Sequence, residues 1–220
     1  MKTTKRLLKA TKELWAEYNK HPFVCGIQDG VLDKEKFKYY ILQDYLYLIE
    51  YTKVFGIGIA KAKTIEMMQL FSSYSHLLAN SEMDIHKGYM GKFEITQEEL
   101  NNTPVALDNL SYTSYMLRVA YEESEVEILT AILSCAYSYE VIARNMVHNN
   151  PDSINHPFYG DWIKGYSSEA YHEENIILLN TLDKMTENYT EGQIEHLVQI
   201  FVNCSRYEMK FWDLAWEMKK

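Results

Sequence analysis

The chain has 220 residues, of which 47% are apolar and 24% are charged, and it contains only 9 glycines and 4 prolines. This composition excludes a collagen-like, linker-rich or disordered protein, and the length is sufficient for a sizeable hydrophobic core. The formal net charge of −9 argues against nucleic acid and anionic membranes as main partners, because both attract basic proteins.

The first predicted helix lies near the N-terminus, where Leu7, Thr11 and Leu14 recur at helical spacing. His21-Pro22 ends it, because the residue before a proline disfavours the helical conformation.

Two long helical segments follow. Asp33 is the predicted N-cap of a helix from Lys34 to about Ala62, which Gly56 and Gly58 could bend or end early. The next segment extends from position 64 to about position 92, with an interruption near position 80.

The middle of the chain has clearer helix starts. Thr96 and Ser124 are each followed three residues later by glutamate, the spacing of a capping box. Pro104 is placed to open the helix between them. The helix after Ser124 continues to about Asn149, where Pro151 stops further growth.

The C-terminal part begins with a short, punctuated segment over positions 156–165. Ser167 is then predicted to start a helix to about Asn188, and Thr190 to start the last helix, which ends near Trp216. Strand alternation, repeats and linkers are lacking, so the sequence predicts an all-α fold with a single domain over residues 1–220.

The cysteines and the N-terminus indicate a compartment. Cys25, Cys135 and Cys204 form no CxxC pair, which argues against a disulfide framework or a zinc site. The N-terminus lacks the apolar region of a signal peptide, and no uninterrupted apolar run approaches 18 residues. We therefore expect a soluble, cytoplasmic protein with no membrane partner.

Three helices carry candidate functional residues. Asp44, Tyr47 and Tyr51 share one face of the long early helix, and Cys135 and Tyr139 lie one turn apart on an apolar helix. Each has a common alternative, because an edge carboxylate beside core tyrosines and a buried structural cysteine are both frequent.

The last helix adds an acid among aromatic residues. Glu208 shares a face with Phe211 and Trp212, and burial in such company would raise the pKa of a carboxyl toward neutrality. A surface glutamate is the ordinary alternative. The chain also has 18 tyrosines, a composition that suits a pocket for a planar heterocycle but is also compatible with a plain core.

Rival chemistries lack their motifs. A di-iron bundle needs two Glu-x-x-His pairs, and only Glu169–His172 has that spacing. Glycine-rich phosphate loops are absent from the sequence, and the seven histidines show no haem motif. We therefore expect no metal and no cofactor.

Several short motifs, each weak alone, follow one another in a specific order. They are Trp15, His21-Pro22-Phe23, Gln43-Asp44-Tyr45-Leu46-Tyr47-Leu48, Tyr112, Cys135-Ala-Tyr-Ser-Tyr139, the run from His156 to Tyr166, and Glu208-x-x-Phe211-Trp212. Through them the sequence resembles the TenA/thiaminase II family over most of its length. Two departures are Ser134, where the family often has proline, and Tyr137, where it often has tryptophan; we expect them to affect packing.

The resemblance implies a helical fold similar to haem oxygenase but without haem, assembled as a homotetramer. It also implies hydrolysis at the methylene carbon of an aminopyrimidine. Thiamin would lose its thiazole, or an aminomethyl pyrimidine from thiamin breakdown would lose ammonia, and both would give hydroxymethyl aminopyrimidine for thiamin salvage.

The resemblance also implies roles for individual residues. Cys135 would be the nucleophile and Glu208 the acid and base. The remaining residues would bind the ring (Asp44, Tyr47, Tyr112, Tyr139 and Tyr166) or support the reacting groups (Tyr51).

Two alternatives from other classes remain open at this stage. One is a non-catalytic aminopyrimidine-binding or regulatory protein, although the acidic charge argues against direct DNA contact. The other is a helical redox protein whose cofactor escaped notice, which the colour or metal content of the purified protein would reveal.

Overall fold

The structure is a computed structural model that describes the backbone of residues 1–219 and the side chains of residues 1–80 and 86–219. Within residues 1–219 the regular secondary structure is helical throughout, which confirms the predicted all-α class. The α-helices are α1 (Thr3–Tyr18), α2 (Pro22–Gln28), α3 (Lys34–Lys61), α4 (Ile65–Leu77), α5 (Met83–Lys92), α6 (Gln97–Asn102), α7 (Leu107–Glu122), α8 (Glu125–Asn149), α9 (Gly160–Ser167), α10 (Glu169–Met185) and α11 (Glu191–Glu217).

Most predicted helix starts are confirmed by the caps that form there. The Asp33 carboxylate accepts the backbone N–H of Glu35 at 2.8 Å, and Ser124 and Thr190 each form a complete capping box. The interruption expected near position 80 is a π-helical turn over Leu78–Glu82 between α4 and α5.

Two helix starts differ from the prediction, whereas the end of α3 agrees with it. Ser167 ends α9, and the Ser168 hydroxyl caps α10 instead, by accepting the backbone N–H of Tyr171. Pro104 does not open α7, which begins at Leu107. The two glycines of α3 do not end it, and Gly58 is required because a Cβ there would lie 2.8 Å from the Phe71 ring.

Helix α2 was not predicted, because seven residues are too few to show a periodicity. Pro22 occupies its first turn, and the His21 Nδ1 atom accepts the backbone N–H of Phe23 at 3.2 Å. A histidine ring thus takes the capping role that usually belongs to Ser, Thr, Asp or Asn.

Helix α8 lies at the centre of the bundle, packed against α3, α7, α9, α10 and α11. By length and composition it could cross a membrane, but 83% of its most apolar window is buried inside the protein, as in the core helix of a globular fold. Because α3 and α11 flank it, Asp44, Cys135 and Glu208 from these three helices converge on the same region.

Candidate active site

A cavity of about 220 Å³ lies between α3, α8 and α10, with α9 and the end of α4 completing its wall. An apolar cavity of about 150 Å³ is enough to hold benzene, so this one has room for a substituted six-membered ring. Six of the eight predicted site residues line it: Asp44, Tyr47, Tyr51, Cys135, Tyr139 and Tyr166.

The other two predicted residues, Glu208 and Tyr112, are buried behind this wall, each with only 1% of its surface exposed. The Tyr112 hydroxyl donates a hydrogen bond to Glu208 Oε2 at 3.0 Å. The Tyr139 hydroxyl and the Cys135 thiol also lie next to Glu208, where hydrogen bonding from them lowers its pKa. The thiol in the cavity wall is therefore a neighbour of a buried carboxyl group.

The environment of Glu208 favours the protonated form of its carboxyl group. Burial raises the pKa of this carboxyl from 4.5 to about 8, and the negative charge of Asp44 adds to the rise. The hydrogen bonds from Tyr112, Tyr139 and Cys135 act in the opposite direction but do not outweigh burial. Near neutral pH such a group can both give and take a proton.

Asp44, the second buried acid, has different partners. Its Oδ2 atom lies 2.7 Å from Nε2 of His86, a fully buried residue of α5. The Tyr40 hydroxyl, one helical turn before Asp44, donates to the Tyr139 hydroxyl at 3.3 Å and accepts the indole N–H of Trp162 at 3.2 Å. Tyr40 thus orients Tyr139, which lies next to Glu208.

Tyrosine rings form much of the cavity wall. Tyr47 and Tyr51 stack at 5.3 Å with an interplanar angle of 24°, and Tyr139 packs against Tyr166 at 4.8 Å. The Tyr51 hydroxyl donates to the backbone carbonyl of Ile132 at 3.0 Å, one turn before Cys135, so it ties α3 to α8 beside the thiol. The wall offers flat apolar faces on which a planar ring can stack.

Ser134, one of the departures from the family pattern, is fully buried behind the site. Its hydroxyl lies 2.9 Å from the Ser205 hydroxyl of α11, which also accepts the indole N–H of Trp15 at 3.1 Å. The hydroxyl therefore joins α8 to α11 at the position next to Cys135.

Tyr40 and His86 are parts of the site that were not predicted from the sequence. Tyr40 lies one helical turn before Asp44, and this spacing was a usable signal. His86 gave no signal, because its pairing with Asp44 joins α5 to α3 across the bundle.

The described residues contain one group of potential metal ligands, and it lies outside the cavity wall. Glu123, Glu127 and His196 bring their ligand atoms within 4.8 Å of one another. However, Glu127 is already engaged in the capping box of α8, where its Oε2 atom accepts the backbone N–H of Ser124 at 3.2 Å. The group is thus explained by its part in the fold.

The geometry combines a thiol, two buried acids and a ring-sized cavity. A thiol hydrogen-bonded to a carboxyl group near neutral pKa can lose its proton to that group and attack an electrophile in the cavity. The Asp44 carboxylate can accept an N–H from the same molecule. This arrangement suits nucleophilic catalysis on a planar heterocycle that carries an amino group.

Comparison with known proteins finds a family match and relatives that share most of the chain's length. Residues 8–218 match the TENA/THI-4/PQQC family. The chain is 42% identical to an aminopyrimidine aminohydrolase of Helicobacter pylori, over 99% of this chain and 100% of that protein. It is 39% identical to a protein of the same name from Halalkalibacterium halodurans, over 96% of this chain and 93% of that protein.

Solved structures agree with the fold. A TenA homologue from P. horikoshii superimposes with a TM-score of 0.85 at 28% identity, covering 99% of both chains. A protein with a haem oxygenase-like fold from Shewanella denitrificans gives a TM-score of 0.77 at 14% identity, covering 99% of this chain and 93% of that one. The predicted haem oxygenase-like bundle and the resemblance to TenA proteins are both confirmed.

Proposed function

The chain belongs to the TENA/THI-4/PQQC family, and from this membership and the site above we propose that it is an aminopyrimidine hydrolase of thiamin salvage. Its substrates are thiamin, which loses its thiazole, and aminomethyl pyrimidines, which lose ammonia. Both give hydroxymethyl aminopyrimidine. The enzyme names of its relatives favour this function over the non-catalytic, regulatory alternative.

The observation that carries the proposal is the placement of the Cys135 thiol in the cavity wall next to the buried Glu208 carboxyl, whose pKa it helps to lower. Burial raises the pKa of Glu208 to about 8, so this group can exchange protons near neutral pH as the sulfur attacks. Cys135 lies mid-helix, where the helix dipole gives no help, and Glu208 supplies the base instead.

In the first half of the reaction, Glu208 sends its proton through the Tyr139 hydroxyl of the cavity wall to a ring nitrogen, and it takes up the proton of Cys135 as the sulfur adds to the adjacent ring carbon. Protonation of the nitrogen makes the addition feasible. The ring electrons then expel the substituent from the methylene carbon, and the nitrogen loses its proton to water. Thiazolium departs as neutral thiazole, and an ammonium group departs as ammonia.

In the second half, water adds to the exocyclic carbon. The ring nitrogen again takes the proton of Glu208 through Tyr139, and the proton released by the water replaces it on Glu208. The carbon–sulfur bond breaks, the ring regains aromaticity, and the sulfur takes up the proton that the ring nitrogen releases. Two easier steps thus replace one slow displacement by water.

The other site residues orient the ring. Asp44, held by His86, accepts the exocyclic amino group, and Tyr47 and Tyr166 cover the faces of the ring. Tyr112 supports the reaction by holding Glu208, and Tyr51 holds α3 against α8 beside Cys135.

The test is turnover of thiamin and of aminomethyl pyrimidine by the wild-type protein and by Cys135→Ala, with chromatographic detection of hydroxymethyl aminopyrimidine. We expect the wild type to form this product and folded Cys135→Ala to lose more than about 10³-fold in kcat, since the nucleophile is gone. Cys25→Ala, on α2 outside the cavity wall, is the matched control and should retain activity. Near-wild-type turnover by folded Cys135→Ala would exclude the nucleophilic role.

We also propose that the enzyme acts in the cytoplasm as a homotetramer, without nucleic-acid or membrane partners. The three cysteines form no disulfide with one another, in keeping with a reducing compartment, and apolar side chains are exposed around the start of α7 at Val105, Leu107 and Leu110. Light scattering should give four times the chain mass of 25.9 kDa. A monomer mass would contradict the assembly and leave the proposed chemistry unaffected.

A further inference from the structure

The outer part of the cavity differs from the part that holds Cys135. Its wall comes from the end of α4 and the first half of α10, and it is mostly apolar. It is formed by Tyr74, Leu77, Leu78, Tyr171, Glu174 and Leu178. In the proposed function Asp44, Tyr139 and Cys135 engage the ring, so the departing substituent extends toward this outer part.

Among the residues whose side chains the structure describes, Glu174 is the one carboxylate of this outer wall, and it is half-buried. Among the described residues its carboxylate has neither a hydrogen bond nor an ion pair. Lys, Arg and His are missing from the described wall of the cavity, whose acids are Asp44 and Glu174. Partial burial raises the pKa of Glu174, which is the cost of removing a charge from water without supplying a partner.

The position of Glu174 is fixed across the cavity. The Tyr74 hydroxyl of α4 donates a hydrogen bond to the backbone carbonyl of Glu174 at 2.5 Å. This bond ties α10 to α4 at the same residue, so the carboxylate does not depend on a mobile loop for its placement.

We propose that Glu174 is a specificity-determining residue that recognises a positive charge on the departing group. The proposal rests on the proposed function, in which both the thiazolium of thiamin and a protonated aminomethyl group are cations. Each becomes neutral when its bond to the methylene carbon breaks. The attraction to Glu174 therefore strengthens substrate binding and fades as the product leaves, so it acts on Kd and KM more than on kcat.

The test compares two ligands of the same shape and different charge. Thiamin carries the thiazolium cation, and its neutral analogue has carbon in place of the thiazolium nitrogen. Kd is measured by calorimetry for both ligands in the Cys135→Ala protein, which does not turn thiamin over, with and without Glu174→Gln. Glu173→Gln is the matched control, because Glu173 is the exposed neighbour on the same helix and does not line the cavity.

We expect Glu174→Gln to weaken thiamin binding about fivefold, as for a partly exposed ion pair, and to change binding of the neutral analogue less than about twofold. Glu173→Gln should change neither. The inference would be overturned if Glu174→Gln weakened the binding of both ligands equally or of neither. It would also be overturned if thiamin did not bind to the parent Cys135→Ala protein.

Failure of the proposed function is separable from these outcomes. If the wild-type protein hydrolyses neither thiamin nor aminomethyl pyrimidine, the proposed function is wrong. If it hydrolyses them while the charge preference survives Glu174→Gln, the function stands and the role of Glu174 is wrong.

Discussion

Two buried glutamates on neighbouring helices have opposite surroundings. Glu140 of α8 lies 2.5 Å from Nδ1 of His172, accepts the Asn175 amide at 2.8 Å, and pairs with Arg144 at 3.1 Å. Glu208 of α11 is at least as buried, but its partners are two tyrosine hydroxyls and a thiol, which are neutral. Both glutamates are buried, so it is their partners that make them different. Glu140 has charged and amide partners and holds helices together, whereas Glu208 has neutral partners and can transfer a proton.

The comparison also explains the single Glu-x-x-His pair of the sequence. Its histidine, His172, is a partner of Glu140, and its glutamate, Glu169, pairs with Arg144 at 3.2 Å. The pair thus belongs to an ion-pair cluster that joins α8 to α10. The residues serve the fold.

The largest expected effect separates the two glutamates by activity. Glu208→Gln should lower kcat by about 10²–10⁴-fold, the share of a general acid and base, because an amide keeps the shape but cannot carry the proton. Steady-state kinetics with aminomethyl pyrimidine measures this effect. A change confined to KM would make Glu208 a binding residue.

The second prediction concerns stability and pH. The pKa of Glu208 is raised in the folded state to about 8, from about 4.5 when unfolded, so its contribution to stability is complete below pH 4.5 and is lost as pH rises through 8. Relative to Glu208→Gln, the wild type should lose up to about 5 kcal/mol of unfolding free energy over this range, at 1.36 kcal/mol per pKa unit. Urea unfolding at several pH values checks the slope, and parallel curves for the two proteins would refute it.

The smallest effect is expected at the other glutamate. Glu140→Gln removes the charge that three partners share and should lower the unfolding free energy by about 1–3 kcal/mol, with kcat changed little in the folded protein. Glu169→Gln is the matched control, because this exposed member of the cluster should contribute less than about 1 kcal/mol. Thermal unfolding and steady-state kinetics are measured for both variants. A large loss of kcat in stable Glu140→Gln would contradict the different roles of Glu140 and Glu208.

Local signals predicted much of the fold. Asp33, Ser124 and Thr190 mark helix starts because a cap depends on residues within one turn of it, and sequence shows such neighbours directly. The predicted helix start at Ser167 was wrong because its neighbour Ser168 is an equally good cap. Which serine caps α10 depends on how α9 packs.

The site was predictable only in part. Helical spacing placed Asp44, Cys135 and Glu208 on candidate faces, and their roles came from the family resemblance. The pairing of His86 with Asp44 and the position of Glu174 in the cavity wall depend on contacts between helices distant in sequence, which periodicity cannot reveal.

The most direct test of the account is the titration of Glu208 itself. Protein labelled with ¹³C at the glutamate carboxyl carbons would be followed by NMR from pH 4 to 10, and the Glu208 signal would be assigned by its absence from Glu208→Gln. The account predicts a carboxyl that ionises at about pH 8. A Glu208 signal already fully ionised at pH 6 would contradict it.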